Sequence, residues 1–374
     1  MEKKNTFFFC ISLDFSYLCS VFPREERKKM KRLKRKHYVI AAVMLLLVAG
    51  GVVALTIYRE LYATFTSTTA TQFVYIDSDD SADSVYAKLH PIATDNGLAG
   101  LKKLAAHYDY DSLVRTGRYA IEPGQRAIDV FRMLRNGQQT PVMLTIPEVR
   151  TMDRMAGRIA QKLMLDSADI ANALYSQDFC RGWGYDTTTI ACLFVPNTYE
   201  VYWNTSLEGL MERMAKEHDR FWNDERKAKA EAQGLTPNEV VTLASIVDEE
   251  TSYGPEKATI AGLYLNRLHR GMLLQADPTV KYAVGDFTLR RILNRHLEVE
   301  SPYNTYKHAG LPPGPIRVPS VQAVDAVLNP DETDCLYMCA KEDFSGTHNF
   351  ARTAAEHAQN ARRYQQALNA RGIR

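Results

Sequence analysis

A long run of apolar residues near the N-terminus has no polar interruption. The residues from Tyr38 to Tyr58 include no charged side chain, and a helix needs about 20 apolar residues to cross a bilayer. A core helix of that length would show a polar face. A cleaved signal peptide, the stronger alternative, has an apolar region of only about 7–15 residues that ends at small residues. The pattern therefore predicts a transmembrane helix at residues 37–58.

The charges on either side of this run predict its orientation. Seven basic residues stand at positions 28–36, whereas Arg59 is the only basic residue close behind the run. The positive-inside rule then places residues 1–36 in the cytoplasm and exports everything after residue 58. Residues 1–29 resemble no folded module, so Met30 is an alternative start of translation. The formal net charge is +2 and its excess lies before residue 37, which argues against nucleic-acid binding.

The exported part begins with a short connector and a small module. Residues 59–70 are polar and rich in Thr, which is typical of a stalk. Within residues 71–146 the pattern predicts, in order, a strand at 73–76, helices at 81–89 and 98–107, a strand at 117–121, a helix at 127–134 and a strand at 142–146. This order indicates a small α/β module.

The remaining residues, 147–374, indicate a larger domain that mixes helices and strands. An amphipathic helix is predicted at 151–174 and a long charged helix at 211–232. Four exported cysteines, which could pair in three ways, are Cys180, Cys192, Cys335 and Cys339. A strand through Cys335 and Cys339 would hold these two about 13 Å apart, too far for one bridge. Free thiols remain an alternative, and the sequence has no zinc-ligand spacing.

One predicted helix carries a carboxyl group on its apolar side. Thr236 and Glu239 form a capping box with Pro237 at the first helical position. At about 100° per residue, Glu250 falls inside the apolar arc of this helix, between Leu243 and Ile246. A carboxyl held against apolar side chains has a raised pKa and can serve as a general acid.

The neighbouring acidic residues are weaker candidates for this role. Glu249 is expected on the opposite, polar side of the helix, whereas Asp248 lies at the edge of the apolar arc and is the second choice. A structural alternative for Glu250 itself is an ion pair with Lys257 or Arg267 at a helix end.

Loops that follow this helix are dense in Pro, Gly, amide and aromatic residues, as expected of a sugar-binding cleft. Five residues are candidates for lining that cleft and orienting the sugar or Glu250: Gln275, Asp277, Tyr303, Asn304 and His348. Structural alternatives are that Asp277 caps a helix and that Tyr303 belongs to the core.

Four segments in a fixed order resemble the MltG or YceG-like endolytic murein transglycosylases: LASIVDEET, LYLNRLHRGMLLQADPTVKYA, SPYNTYKHAGLPPGPIRVPS and the HNF of GTHNF. The resemblance extends over roughly residues 71–370. The family's catalytic glutamate is the last acidic residue before Thr in the first segment, which corresponds to Glu250, and Asp248 replaces the family's first glutamate. The implied fold is α+β, with a single N-terminal transmembrane helix, a small LysM-like α/β module at residues 71–146 and a mixed α/β YceG-like catalytic domain at residues 147–374.

The resemblance implies a lytic transglycosylase that cuts the β-1,4 bond between N-acetylmuramic acid and N-acetylglucosamine in nascent peptidoglycan strands. The product would carry 1,6-anhydro ends, and cutting would limit strand elongation. Glu250 alone would act as acid and base, so no metal or cofactor is expected. The implied partners are glycan strands and peptidoglycan synthases, with the chain in the bacterial inner membrane and its catalytic domain in the periplasm.

Two alternatives remain open at this point. A lysozyme-like hydrolase would share Glu250 but would use an activated water or a second carboxylate, with Asp248 or Asp277 the nearby options. A non-catalytic membrane scaffold would bind glycan through the LysM-like module and recruit synthesis enzymes.

Overall fold

A computed structural model describes residues 24–289 and 291–372 of the chain. Most of the N-terminal segment 1–29 therefore lies outside the described residues. The described part divides into two compact units. Unit 1 contains the residues up to Val74 together with Asp79–Arg115 and Ala120–Gln138, and unit 2 contains Tyr75–Ser78, Thr116–Tyr119 and the residues from Gln139 onward.

A long helix, α1 (Arg24–Leu61), opens the described chain. Its segment Arg35–Leu61 is long and apolar enough to cross a membrane, and its most apolar stretch is not covered by the rest of the protein. A core helix of a soluble protein would instead be buried. The feature predicted at residues 37–58 is therefore present as one exposed apolar helix.

The first small α/β arrangement follows the predicted order closely. Its elements are β1 (Gln72–Ile76), α2 (Ala82–Leu89), α3 (Asp95–His107), a 3₁₀ turn (Tyr110–Leu113), β2 (Gly117–Ile121) and α4 (Ala127–Asn136). Strands β1 and β2 form a two-stranded sheet. The Ser81 hydroxyl caps α2 and Thr94 caps α3, and α4 ends at Gly137, whose φ of 66° a residue with a side chain rarely adopts.

The segment 59–70, predicted to be a polar connector, is partly built into unit 1. Phe65 is fully buried, and its backbone N–H donates to the carbonyl of Gln125 (2.7 Å) while its carbonyl accepts from Thr94 (2.7 Å). Phe65 has no apolar partner at helical or strand spacing in this Thr-rich stretch, so the local sequence pattern could not predict its burial.

Unit 2 holds most of the remaining elements. They are β3 (Val142–Thr145), α5 (Met152–Ala160), α6 (Ser167–Leu174), α7 (Gln177–Gly182), β4 (Thr198–Val201), α8 (Leu207–Phe221), α9 (Asp224–Ala232), α10 (Pro237–Glu250), α11 (Lys257–His269), α12 (Asp277–Val284), α13 (Asn294–Leu297), α14 (Val321–Leu328), β5 (Tyr337–Ala340), β6 (His348–Ala351) and α15 (Ala354–Ala370). Strand β3 pairs antiparallel with β4, and β5 with β6. The strand predicted to end the small module thus belongs to unit 2.

Both long helices predicted in this region are interrupted. The helix expected at 151–174 is divided into α5 and α6, because the Asp166 side chain accepts hydrogen bonds from the N–H groups of Ala168 and Asp169 and starts a new helix. The helix expected at 211–232 is divided into α8 and α9, where the Asn223 side chain accepts from the N–H of Arg226. In both cases an Asp or Asn cap within a helical pattern marks the break.

Helix α10 lies at the centre of one of two hydrophobic cores that the described residues of unit 2 form. Its residues from Val240 to Val247 are buried, and it packs against α11 and α14. The other core lies among β3, β4 and helices α5–α8. The four cysteines considered for pairing are all free thiols. The strand predicted through Cys335 and Cys339 is present only from Tyr337 onward, as β5, and so does not include Cys335.

Candidate active site

The start of α10 is fixed by hydrogen bonds at its cap. The Thr236 hydroxyl accepts from the Glu239 N–H (3.3 Å), and the Glu239 carboxylate accepts from the Thr236 N–H (2.7 Å). Pro237 occupies the first turn, as predicted. A helix anchored at this end and buried along its middle holds its last residue, Glu250, in a defined position.

The Pro-rich loop that precedes α14 is bonded along the same helix. The Ser245 hydroxyl accepts from the N–H of Ile316 (3.0 Å), and the Asp248 carboxylate accepts from the N–H of Ser320 (3.0 Å). These bonds keep the end of this loop, around residues 316–320, beside α10.

Glu250 is partly buried at the C-terminal end of α10. The Tyr264 hydroxyl of α11 donates to Glu250 Oε1 (2.5 Å), whereas the described residues place no hydrogen-bond donor on Oε2. The ion pairs proposed as a structural alternative are not formed, since Lys257 pairs with Asp248 and the Arg267 guanidinium donates to backbone carbonyls. One carboxyl oxygen is therefore held by Tyr264, and no described residue donates a hydrogen bond to the other.

Burial raises the pKa of Glu250 from 4.5 to about 7. The hydrogen bond from Tyr264 opposes this shift, the negative charges of Asp277 and Glu249 add to it, and the positive charge of Arg267 opposes it. A carboxyl with a pKa near 7 exchanges a proton readily at neutral pH, as a group that must act first as acid and then as base requires.

The environment of Asp248 has the opposite effect. Burial alone would raise its pKa, but hydrogen bonds from Lys257 and from the backbone and hydroxyl of Ser320 outweigh that effect and lower it. Asp248 is semi-buried, as the sequence predicts, and both of its oxygens already have partners. Two carboxyls on one helix thus have pKa values pushed apart, and only the Glu250 carboxyl is suited to donate a proton.

Glu249 does not lie on a solvated face. Its side chain is 9% exposed, because two arginines from distant segments cover it. Arg150 donates through Nε and Nη2 to the two carboxylate oxygens (2.7 and 2.6 Å), and Arg317 Nη1 donates to Oε1 (3.1 Å). The helical wheel could not anticipate this, since both arginines come from loops far away in the sequence.

Two cavities meet at Glu250 and Asp277, and both are formed by unit 2. The larger has a volume of about 720 Å³ and is lined by Arg150, Glu249, Glu250, Asp277, Pro278, Lys281, Leu289, Arg291, Ile292, Tyr364, Gln365 and Leu368. The smaller has a volume of about 270 Å³ and is lined by Glu250, Leu263, Tyr264, Arg267, Leu274, Gln275, Asp277, Tyr306, Met338, Cys339, Ala340 and His348. The carboxyl group thus faces a binding space on each side.

Four of the predicted site residues are brought together here: Glu250, Gln275, Asp277 and His348 all line the smaller cavity. Asp277 is the first residue of α12 and makes no side-chain cap; its carboxylate accepts from the Tyr306 hydroxyl (2.7 Å). His348, on β6, is held by Glu256, which accepts from its backbone N–H (2.9 Å) and lies 3.1 Å from its ring Nδ1.

Tyr303 and Asn304 do not line either of these cavities. Asn304 is fully buried and its amide donates to the carbonyls of Leu297 and Val299 (2.8 and 2.9 Å), so it shapes the loop. Tyr303 packs against Tyr282 with ring centroids 4.7 Å apart. The tyrosine that reaches the cavity is Tyr306, three positions further on, because an irregular loop has no period from which side-chain direction can be read.

Tyr264, which contacts Glu250 directly, was not among the predicted site residues. Tyr264 lies in the apolar stretch of α11, and its hydroxyl is the only local sign that it needs a polar partner. In the described part of the chain, His, Cys, Asp and Glu side chains form no group of three or more that could hold a metal ion.

A model of the YceG-like family matches residues 74–363. This chain belongs to the YceG-like family. Among solved structures, a YceG-like protein from Listeria monocytogenes superposes with a TM-score of 0.51 at 26% identity, covering 78% of this chain and 99% of that one. The mixed helix and sheet architecture is therefore that of the YceG-like family.

Two relatives in this family carry the name endolytic murein transglycosylase. The protein of Bacillus subtilis (strain 168) is 37% identical over 166 residues, which are 44% of this chain and 45% of the relative. The protein of Streptococcus pneumoniae serotype 2 (strain D39) is 28% identical over 290 residues, 68% of this chain and 51% of the relative. The chain spans about half the length of the curated relatives it matches.

Proposed function

We propose that this YceG-like chain is an endolytic lytic transglycosylase of peptidoglycan. The observation that carries the proposal is the carboxyl of Glu250, which has a pKa of about 7 and lines two cavities at the end of a buried helix. The names of the two relatives support the same activity. Cleavage inside nascent strands would limit their elongation.

The reaction begins with proton donation. Glu250 protonates the oxygen of the β-1,4 bond between N-acetylmuramic acid and N-acetylglucosamine, the bond from that oxygen to C1 of the muramic acid breaks, and C1 acquires oxocarbenium character. Because Tyr264 holds Oε1, Oε2 is the oxygen that faces the substrate. Electron-poor C1 is then attacked by the C6 hydroxyl of the same sugar, whose proton passes to the Glu250 carboxylate.

This sequence balances without water, because the proton that Glu250 gives to the leaving sugar is returned by the C6 hydroxyl. The new bond between O6 and C1 forms the 1,6-anhydro end. A pKa near 7 suits both halves of the cycle, since the carboxyl is neither too weak an acid nor too weak a base at neutral pH.

One observation favours a second reading, hydrolysis. Asp277 lines both cavities with Glu250, so it is available as the second carboxylate that a lysozyme-like enzyme uses. Asp248 is not available, because Lys257 and Ser320 occupy its oxygens. The two reactions leave different ends on the glycan.

The test is mass spectrometry of the products after the full-length chain, in detergent micelles, acts on uncrosslinked peptidoglycan. We expect anhydro ends from the native chain and none from Glu250→Gln, while Glu231→Gln, an exposed matched control on α9, should retain activity. Reducing ends would favour the hydrolase. Glycan binding without cleavage by the native chain would favour a non-catalytic scaffold.

The apolar helix at Arg35–Leu61 supports a single membrane anchor. We place the basic N-terminal residues in the cytoplasm and the residues that follow the apolar helix in the periplasm, as the positive-inside rule favours. The small module around β1 and β2 would hold glycan in the manner of a LysM domain, and peptidoglycan synthases would be partners that supply nascent strands. Protease accessibility in spheroplasts tests the orientation.

A further inference from the structure

The two cavities that meet at Glu250 differ in their free charge. In the larger cavity, Arg150 is paired with Glu249 through two hydrogen bonds, whereas Asp277 keeps its negative charge, because the Tyr306 hydroxyl that donates to it is neutral. Lys281 and Arg291 also line this cavity, and among the residues that the structure describes neither has a side-chain hydrogen bond or an ion pair. These two cations outnumber the one carboxylate, Asp277, that has no cationic partner on the same walls, so the net charge there is positive.

The smaller cavity has no comparable cation in the described part of the chain. The Arg267 guanidinium is buried and donates to the carbonyls of Leu336 and Leu274 (2.6 and 2.8 Å). His348 is held by the Glu256 carboxylate. The remaining polar groups on these walls, such as the Gln275 amide, suit uncharged hydroxyl and acetamido groups.

The two sugars of the proposed substrate differ in the same way. N-acetylmuramic acid carries a lactyl-linked peptide with several carboxylates, whereas N-acetylglucosamine carries no charge. The larger cavity, at about 720 Å³ against about 270 Å³, has room for the bulkier residue. Leu289, Ile292 and Leu368 add apolar surface that suits the methyl groups of alanine residues in that peptide.

We infer that the larger cavity binds the muramic acid at whose C1 the glycan is cut, and that Lys281 and Arg291 bind the acidic peptide of this sugar. The smaller cavity then binds the N-acetylglucosamine leaving group. This inference rests on the proposed function and deepens it. Binding of the peptide in the larger cavity would make the chain selective for glycan that still carries peptides. Ammonium and guanidinium groups without partners are the expected ligands for peptide carboxylates.

The experiment compares two substrates on the full-length chain in detergent. One is uncrosslinked glycan with its peptides, and the other is the same glycan after an amidase has removed them. The variant is Lys281→Gln with Arg291→Gln, and the matched control is Arg158→Gln with Lys162→Gln, two exposed residues that line neither cavity. The readout is the ratio of kcat/KM for peptide-bearing glycan to that for stripped glycan.

We expect the native chain and the control to prefer peptide-bearing glycan about tenfold and the variant to prefer it less than about threefold, since each partly exposed ionic contact contributes modestly. Raising the salt concentration should reduce the preference of the native chain but not that of the variant. Lys281→Arg, which keeps the charge, should retain it.

Equal rates on both substrates in the native chain, or an undiminished preference in the variant, would overturn the inference while leaving the proposed function standing. Failure of the native chain to cut either substrate would overturn the proposed function, and the inference with it.

Discussion

The hydrogen bond from Tyr264 to Glu250 Oε1, at 2.5 Å, limits the rise in the pKa of Glu250 that burial causes. The bond stabilises the charged carboxylate and so lowers the pKa that burial has raised. Tyr264→Phe removes the hydroxyl and leaves the ring in place. The pKa of Glu250 should therefore rise above about 7.

The size of the effect follows from the energy of the bond. A hydrogen bond to a charged group contributes about 1.5–3 kcal/mol, and one pKa unit corresponds to about 1.4 kcal/mol, so the pKa should rise by about one to two units. Glu250 must be protonated to start the reaction, so activity falls as the pH rises through its pKa. At pH 8 the protonated fraction should increase from about one tenth to about one half or more.

The assay is the pH dependence of kcat/KM on uncrosslinked peptidoglycan between pH 5 and pH 9. We expect the alkaline limb to move upward by about one to two pH units in Tyr264→Phe, with a lower plateau because the acid is weaker. Tyr253→Phe, at an exposed position after α10, is the matched control and should keep the native limb. A uniform loss of rate with an unmoved limb would refute the reasoning and leave Tyr264 a packing residue.

Three further outcomes follow from the same structure. Between about pH 4.5 and about pH 7 the folded state keeps the Glu250 proton that the unfolded state loses, so the free energy of unfolding falls as the pH rises through that range. In urea unfolding, Glu250→Gln should therefore be more stable than the native chain at pH 8, by on the order of 1–3 kcal/mol, and equally stable at pH 4. Lys257→Met leaves the Asp248 carboxylate buried without its ammonium partner, so it should lower the free energy of unfolding by about 3–5 kcal/mol. The double variant Lys257→Met/Asp248→Asn should recover much of that loss, and thermal melts without such recovery would contradict the importance of the ion pair. Gly262→Ala on α11 would bring a Cβ to 2.5 Å from the Asp331 carbonyl oxygen, so it should lower the Tm. Because α11 also carries Tyr264, the rate of glycan cleavage should fall as well, whereas an unchanged Tm would show that the contact is loose.

Much of the site could be predicted from sequence because it depends on local signals. The capping box at Thr236 fixed the phase of α10, and that phase placed Glu250 on the apolar side. The predicted order of elements in the small module was confirmed from β1 to α4, since each helix there has a side-chain cap or a glycine end. These features need only a few neighbouring residues.

The failures lie where distant segments meet. Glu249 was assigned to solvent because Arg150 and Arg317, which cover it, are far away in the chain. Tyr303 was predicted to line the cleft, whereas Tyr306 does so, because side-chain direction in a loop depends on bonds such as those of Asn304. Long-range ion pairs and loop geometry are set by tertiary packing, and local patterns do not contain them.

The most direct test of the central claim is cleavage in ¹⁸O-labelled water, with the new muramic acid ends analysed by mass spectrometry. An intramolecular reaction that Glu250 catalyses as acid and base predicts anhydro ends that contain no ¹⁸O, formed by the native chain and not by Glu250→Gln. Incorporation of ¹⁸O at C1 of the muramic acid would show that water is the nucleophile. Cleavage by Glu250→Gln at the native rate would show that another residue is the acid. Either result would contradict a transglycosylase reaction that Glu250 catalyses.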